Sequence, residues 1–121
     1  TWELLRELLT EKGVLIVAVP NCSSYDAMKY GKYWAAYDVP RHLWHFTPAT
    51  IQQFGSKHGF ILAARHPMPF DAFYVSMLTE KHKGSAYSFV KGMWTGTVAW
   101  LSAQAKKERS SSMIYVFRKK R

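Results

Sequence analysis

Four side chains capable of acid–base or anion-binding chemistry lie close together in residues 38–48. They are Asp38, Arg41, His42 and His45. A histidine ionises near neutral pH and can transfer protons, and a neighbouring carboxylate can orient its ring. An arginine holds a carboxylate or a phosphate with paired donors. The pattern predicts a ligand-contacting loop in which His42 or His45 acts as an acid, a base or a hydrogen-bond donor.

The same residues can also be explained by structural roles without catalysis. One histidine could satisfy a backbone group while the other is partly exposed, and the acid and the arginine could close the loop as a salt bridge. Two histidines three residues apart also occur at zinc sites, but such a site needs a third protein ligand. Only Asp38, Cys22, His58 or His66 could supply it. We therefore predict no metal.

Asn21 and Cys22 follow the apolar run of residues 14–19. At the carboxyl end of a parallel strand an asparagine amide can contact a ligand, and a turn role is the alternative. No Gly-x-Ser-x-Gly-like turn surrounds Cys22, which favours a small buried apolar thiol over a nucleophile.

The elements that must position these residues follow from local patterns. Apolar residues at helical spacing predict a helix over residues 2–9, with a basic last turn and a glycine cap at Lys12-Gly13. The run 14–19 lacks polar alternation, which is typical of a parallel-sheet strand covered on both faces. Ser23 or Ser24 is predicted to cap a short helix that Gly31 ends.

The second half of the chain continues the alternation of helices and strands. Thr47-Pro48 predicts a helix start, and Gly59 its end. Strands are predicted over residues 60–65 and 113–118, and helices over 71–83 and 85–107. The last helix carries an apolar stripe of Phe89, Val90, Met93, Trp94, Val98 and Leu101. We expect it to be a core-packing or lid helix rather than a membrane-surface helix, and too polar to span a bilayer.

The chain of 121 residues has about the length of one domain. It begins at Thr1 and enters a helical pattern at once, so we expect a piece of a longer protein. Its single cysteine excludes an intrachain disulfide and fits a reducing cytoplasm, the predicted location. None of the glycines forms a Gly-x-Gly cluster after a strand, so we expect no nucleotide cradle.

The chain is strongly basic, with 17 Lys and Arg against 8 Asp and Glu, a formal charge of +9. Such a charge can support binding to nucleic acid or anionic lipid. The densest basic clusters lie at residues 106–109 and 118–121, where solvated segments are the ordinary explanation. No aromatic-and-basic RNA signature or helix-turn-helix spacing accompanies the charge, so we expect no nucleic-acid partner.

The order of motifs in residues 8–21, 31–34 and 38–48 closely resembles the C-terminal half of class I S-adenosylmethionine-dependent methyltransferases. The branch it is most similar to contains bacterial small-molecule methyltransferases akin to the ubiquinone-biosynthesis O-methyltransferases. The resemblance covers about residues 2–65 and implies an α/β fold. The chain would be the C-terminal portion of a Rossmann-like sheet, with strands five to seven, flanking helices and an antiparallel last strand. Residues 1–121 would then be part of one domain, with residues 71–107 as a helical cap insertion.

The resemblance also implies a function and a set of site residues. It implies methyl transfer to a small-molecule acceptor, with S-adenosylmethionine bound mainly by residues upstream of Thr1, so that the chain alone is expected to be inactive. On the acceptor side it implies Asn21, Asp38 and Arg41 as substrate-binding residues and His45 or His42 as a base.

Two further expectations concern partners. The alternative function is a non-catalytic basic module that binds nucleic acid or an anionic membrane surface, motivated by the charge and the Trp-bearing helix. A fifth strand without its upstream neighbour would leave an apolar edge open. We therefore also expect self-association through residues 14–19.

Overall fold

The helices and strands lie close to where the local signals predict them. A computed structural model of the chain describes residues 1–37, 44–68, 70–84, 86–106 and 109–121. The helices are α1 (Trp2–Leu8), α2 (Tyr25–Tyr30), α3 (Pro48–Lys57), α4 (Asp71–His82) and α5 (Ser88–Ala105), and the strands are β1 (Val14–Pro20), β2 (Phe60–Pro67) and β3 (Ser112–Lys119). Two 3-10 turns, Gly31–Tyr33 and Ala35–Tyr37, follow α2. The fold is mixed α/β, as predicted.

The three strands form one sheet in the order β1-β3-β2. β3 is antiparallel to both neighbours, with Ile16 opposite Val116 and Arg65 opposite Tyr115. β1 and β2 therefore share a direction without being hydrogen-bonded to each other. The antiparallel direction predicted for the last strand is confirmed.

The prediction that β1 is covered on both faces is wrong for the described residues. Its side chains alternate, with Leu15, Val17 and Val19 partly buried and Ile16 63% exposed. The strand lies at the sheet edge, and its outer face has no helix against it among the described segments. An unbroken apolar run cannot distinguish this arrangement from two-sided burial.

The main core lies on the other face of the sheet. Ile51 from α3 packs there with Phe60, Met113, Tyr115 and Phe117 from the strands, all essentially buried. The Trp2 ring of α1 stands edge-on to the rings of Phe54, Phe60 and Phe117, with centroids 5.3–5.5 Å away. These contacts attach α1 and α3 to the sheet.

Two predicted helix caps are confirmed. The Ser24 side chain accepts a hydrogen bond from the Ala27 amide at the start of α2, and Gly31 ends that helix with φ 55°. Thr47 and Thr50 form a reciprocal capping box at the start of α3, with Pro48 at the first helical position. Such pairs satisfy amides that have no partner inside the helix.

The cap predicted at Gly13 is wrong. The chain leaves α1 at Leu9, which is extended, and Gly13 does not adopt positive φ. A Cβ at Gly13 would lie 2.8 Å from Leu9 Cγ. Glycine is therefore needed at this turn for space rather than for a left-handed conformation.

The helices α2, α4 and α5 gather at the end of the sheet where β1 and β2 finish and β3 begins. A second core joins α2 and α4 and is built around Ala27, Tyr30, Trp34 and Val75. No helix in the described part of the chain is long and apolar enough to cross a membrane.

The apolar stripe of α5 does not pack into the core, contrary to one of the two predicted roles. Phe89, Val90 and Trp94 are about two-thirds exposed. The buried face is instead a row of small residues, Gly92, Thr95, Gly96, Ala99 and Ala103, against which α4 packs. Small side chains let two helix backbones approach closely, so they determine which face of α5 is buried.

Candidate functional site

Asn21 joins the end of β1 to the segment that begins β3. Its side chain is fully buried, and its Nδ2 donates to the Ser110 carbonyl at 2.9 Å. Its Oδ1 accepts from the Ser23 amide at 3.0 Å and from the Ser23 hydroxyl at 2.7 Å, and its backbone amide donates to the Ser111 carbonyl. The turn role that the sequence allowed is present, and contact with a substrate stays a prediction.

His45 is the one candidate base within the described residues. Its exposed ring stands edge-on to the ring of Tyr37, with centroids 4.8 Å apart. Asp38, Arg41 and His42 lie outside the described residues, so their predicted roles stay predictions.

Cys22 lies beside Asn21 and is partly buried against the second core. Desolvation raises the pKa of its thiol above the ordinary value. A raised pKa lowers the thiolate fraction at neutral pH, and the thiolate is the nucleophilic form. The environment of Cys22 therefore favours a packing role over a nucleophilic one.

A cavity of about 340 Å³ is lined in part by Ser23, the residue that is hydrogen-bonded to Asn21. We call it the basic cavity, because Arg65 of β2 lines it together with Lys106 and Arg109, which follow α5. The neutral polar residues Ser23 and Gln52 also line it, as do Thr47, Pro48 and Ala49 at the start of α3. The described residues of the lining include three cations and no acid.

Buried polar contacts connect α2 to the segment before β3 and to α4. Asp26 is fully buried, and its Oδ2 accepts from Trp34 Nε1 at 2.8 Å and from the Ser111 hydroxyl. The Tyr30 hydroxyl donates to buried Glu80 at 2.9 Å. Desolvation and the hydrogen bond to Glu80 raise the pKa of Tyr30 to about 12.

Sequence reasoning did not single out the serine run that precedes β3. Ser110, Ser111 and Ser112 are all buried, and their hydroxyls bond respectively to the Ser112 carbonyl, to Asp26 and to Asp71. The detectable signal was three consecutive hydroxyls directly before an apolar strand. A strand start that is both polar and buried needs such internal partners.

Within the described segments, no three histidine, cysteine or acidic side chains converge as metal ligands would. His58, one of the candidate third ligands, pairs with the Glu3 carboxylate at 2.7 Å. That contact ties α1 to the end of α3.

No family model matches the chain, and no curated protein matches it as a relative.

Proposed function

We propose that the chain is the C-terminal part of an S-adenosylmethionine-dependent methyltransferase that acts on a small-molecule acceptor. The observation that supports this proposal is the direction of β3. The motif order implied two strands of one direction followed by an antiparallel last strand, and β3 is antiparallel to both β1 and β2.

On this proposal the chain contributes little to cofactor binding. β1 is followed by Asn21 and Cys22 and β2 by Met68, so neither strand of the shared direction leads into a glycine-rich turn. We propose that S-adenosylmethionine, whose sulfonium supplies the methyl group, is bound mainly by residues upstream of Thr1.

On this proposal the residues of the chain bind the acceptor and take its proton. Methyl transfer needs an acceptor held in line and, for a hydroxyl, a base at the reacting oxygen. His45 is the proposed base because its ring is exposed and held by Tyr37, and His42 is the second choice. Asn21, Asp38 and Arg41 are proposed to orient the acceptor.

The test compares S-adenosylmethionine binding to the chain alone and to a longer protein that includes the upstream residues. We expect binding only to the longer protein, measured by calorimetry. In that protein His45→Ala should lower kcat by about 10²- to 10⁴-fold while leaving cofactor affinity unchanged. The matched variant His66→Ala alters an exposed strand residue and should leave kcat unchanged. Absence of binding by the longer protein at high micromolar cofactor would refute the proposal.

The exposed stripe of α5 favours a second candidate, a module that docks on an anionic membrane surface. Phe89, Val90 and Trp94 project from the same helix that carries Lys91. Apolar side chains next to cations are typical of interfacial helices. If this candidate is right, the chain co-sediments with anionic vesicles, and added salt weakens the binding. Trp94→Ala should also weaken it, whereas the control variant Trp100→Phe should not. Failure to bind vesicles at low salt would eliminate it.

A further inference from the structure

A cavity of about 470 Å³ lies where α2, α4 and α5 meet, and we call it the three-helix cavity. Its volume is in the range of small-ligand pockets. We propose that it binds a free apolar α-amino acid, which it recognises by both charges and by the side chain. The described residues that line it are Lys29 from α2, Glu80 from α4, and Val90, Lys91, Trp94 and Thr95 from α5.

The buried carboxylate of Glu80 is the first indication of a ligand. This residue is 5% exposed, and the described residues give its carboxylate a single hydrogen bond, from the Tyr30 hydroxyl at 2.9 Å. A carboxylate can accept several hydrogen bonds, and a buried charge is costly unless it is well paired. Glu80 therefore lines the three-helix cavity with acceptor capacity left over. An ammonium group is the ligand group that fits it.

Two lysines on the same cavity fit the opposite charge of such a ligand. The Lys29 ammonium donates to the Thr95 hydroxyl at 2.8 Å and lies 5.8 Å from the centroid of the Tyr30 ring. Because Thr95 is buried, this hydrogen bond holds Lys29 at the cavity. An ammonium has donors to spare after one hydrogen bond, so Lys29 can also hold a carboxylate. Lys91 lines the cavity one helical turn before Thr95 and adds a second cation.

The two kinds of charge in the lining point to a zwitterion. In the described part of the chain, neither Lys29 nor Glu80 forms an ion pair with the other or with a further residue. A simple amine satisfies Glu80 alone, and a simple carboxylate satisfies the lysines alone. An α-amino acid carries both charged groups on one carbon atom, so it can satisfy both sides of the cavity at once.

The apolar part of the lining fits the side chain of the ligand. Val90 and Trp94 are 65% and 68% exposed, although both are large and apolar. They lie one turn apart on α5, and both line the cavity. A side chain that packs against them gains hydrophobic and aromatic contact. An aromatic or large aliphatic amino acid therefore fits better than glycine.

This site is separate from the proposed methyl transfer. Neither Asn21 nor His45 is among the described residues that line the three-helix cavity. Binding is measured on the 121-residue chain in the absence of a methyl donor. The failure of one proposal therefore leaves the other unaffected.

The test is equilibrium dialysis of the 121-residue chain against ¹⁴C-labelled L-phenylalanine at constant ionic strength. We expect saturable binding, and we expect unlabelled L-phenylalanine to displace the label. Phenethylamine lacks the carboxylate, 3-phenylpropionate lacks the ammonium, and glycine lacks the apolar side chain. Each should compete at least about tenfold more weakly than L-phenylalanine, because each has lost one recognised group.

Substitutions in the lining test each contact. Glu80→Gln should weaken L-phenylalanine binding about tenfold but should not weaken the binding of 3-phenylpropionate, which has no ammonium. Lys29→Gln should weaken both ligands, and its control Lys32→Gln, at an exposed lysine outside the described lining, should weaken neither. Trp94→Ala should weaken L-phenylalanine binding, whereas Phe89→Ala, 67% exposed on the same helix, should not.

Several outcomes would overturn the proposal. The absence of saturable L-phenylalanine binding would remove the site. Equal competition by 3-phenylpropionate would indicate attraction of any anion by the net charge, and equal competition by phenethylamine would exclude recognition of the carboxylate. Glycine that competes equally would exclude the apolar contact. These competitors are measured on the unaltered chain, so the proposal can be refuted even if Glu80→Gln does not fold.

Discussion

A buried hydrogen bond between the Tyr30 hydroxyl and the Glu80 carboxylate joins α2 to α4, and it can be removed by deleting one oxygen atom. Tyr30→Phe keeps the ring and removes the hydroxyl, leaving the buried Glu80 oxygen without its donor. An unsatisfied buried acceptor costs about 1–3 kcal/mol. We expect the free energy of unfolding in urea to fall by about that amount. Tyr33→Phe, at a half-exposed ring, should change it by less than about 0.5 kcal/mol, and an equal effect of both changes would contradict the prediction.

The same tyrosine predicts a loss of stability at alkaline pH. Its folded pKa of about 12 lies above the ordinary value of 10.0, so folding favours the neutral phenol. The contribution is fully present below pH 10 and is lost as the pH rises toward 12. We expect the stability of the unaltered chain to fall more steeply over this interval than that of Tyr30→Phe, measured by urea unfolding at each pH. Parallel curves would show that Tyr30 is not the group responsible.

At the scale of elements, the crossing of α4 and α5 depends on two glycines. A Cβ at Gly92 would lie 2.5 Å from the Met77 Cα, and one at Gly96 would lie 2.8 Å from the Phe73 Cα. In a free helix Gly→Ala stabilises by about 1 kcal/mol, but here the added methyl meets backbone. We expect Gly92→Ala to destabilise the chain by about 1–3 kcal/mol in urea unfolding.

The control for that prediction is Thr97→Ala on the exposed side of α5. It also improves helix propensity, but it adds no atom to the α4 interface. Its effect should stay within about 0.5 kcal/mol. If Gly92→Ala instead raises the free energy of unfolding, the contact between α4 and α5 does not require glycine at this position, and the prediction is wrong.

Local sequence signals predicted the helices and strands well, but they predicted less well which side chains are buried. Thr47-Pro48 and Ser24 with Gly31 marked helix ends correctly, because capping depends on neighbours in the sequence. The buried face of α5 depends on how closely α4 can approach, which a search for large apolar residues does not detect. The burial of β1 was not predictable for a different reason, because an unbroken apolar run is compatible with one covered face or with two.

The candidate site was only partly accessible to sequence reasoning. Asn21 was found because it ends an apolar strand. The basic cavity was not, because it joins Ser23, Arg65 and Arg109, which are far apart in the sequence. Sequence spacing does not predict that such residues are neighbours, because they come together only when the sheet forms.

At the scale of the whole molecule, the outer edge of β1, which pairs with no other strand in the described part of the chain, is the feature that most affects its behaviour in solution. Val14 and Ile16 are exposed there, and Ile61 is exposed on the same face of β2. Apolar edge strands promote pairing between chains. We expect the 121-residue chain to self-associate in light scattering and Ile16→Lys to be monomeric.

Leu101→Lys is the matched control, because it places the same charge on the exposed face of α5. It should leave the association unchanged. A strictly monomeric unaltered chain would contradict the prediction.

The central position of β3 has a consequence for how the chain is made. Among the described residues β1 and β2 each pair with β3 alone in the sheet, and β3 is formed by residues 112–119. During synthesis both earlier strands can therefore pair with β3 only after residues 112–119 have left the ribosome. Contacts between such distant residues form slowly, and exposed strands promote aggregation during the delay. The yield of folded protein should thus depend on how fast translation reaches β3 and on chaperones that hold the first two strands until then.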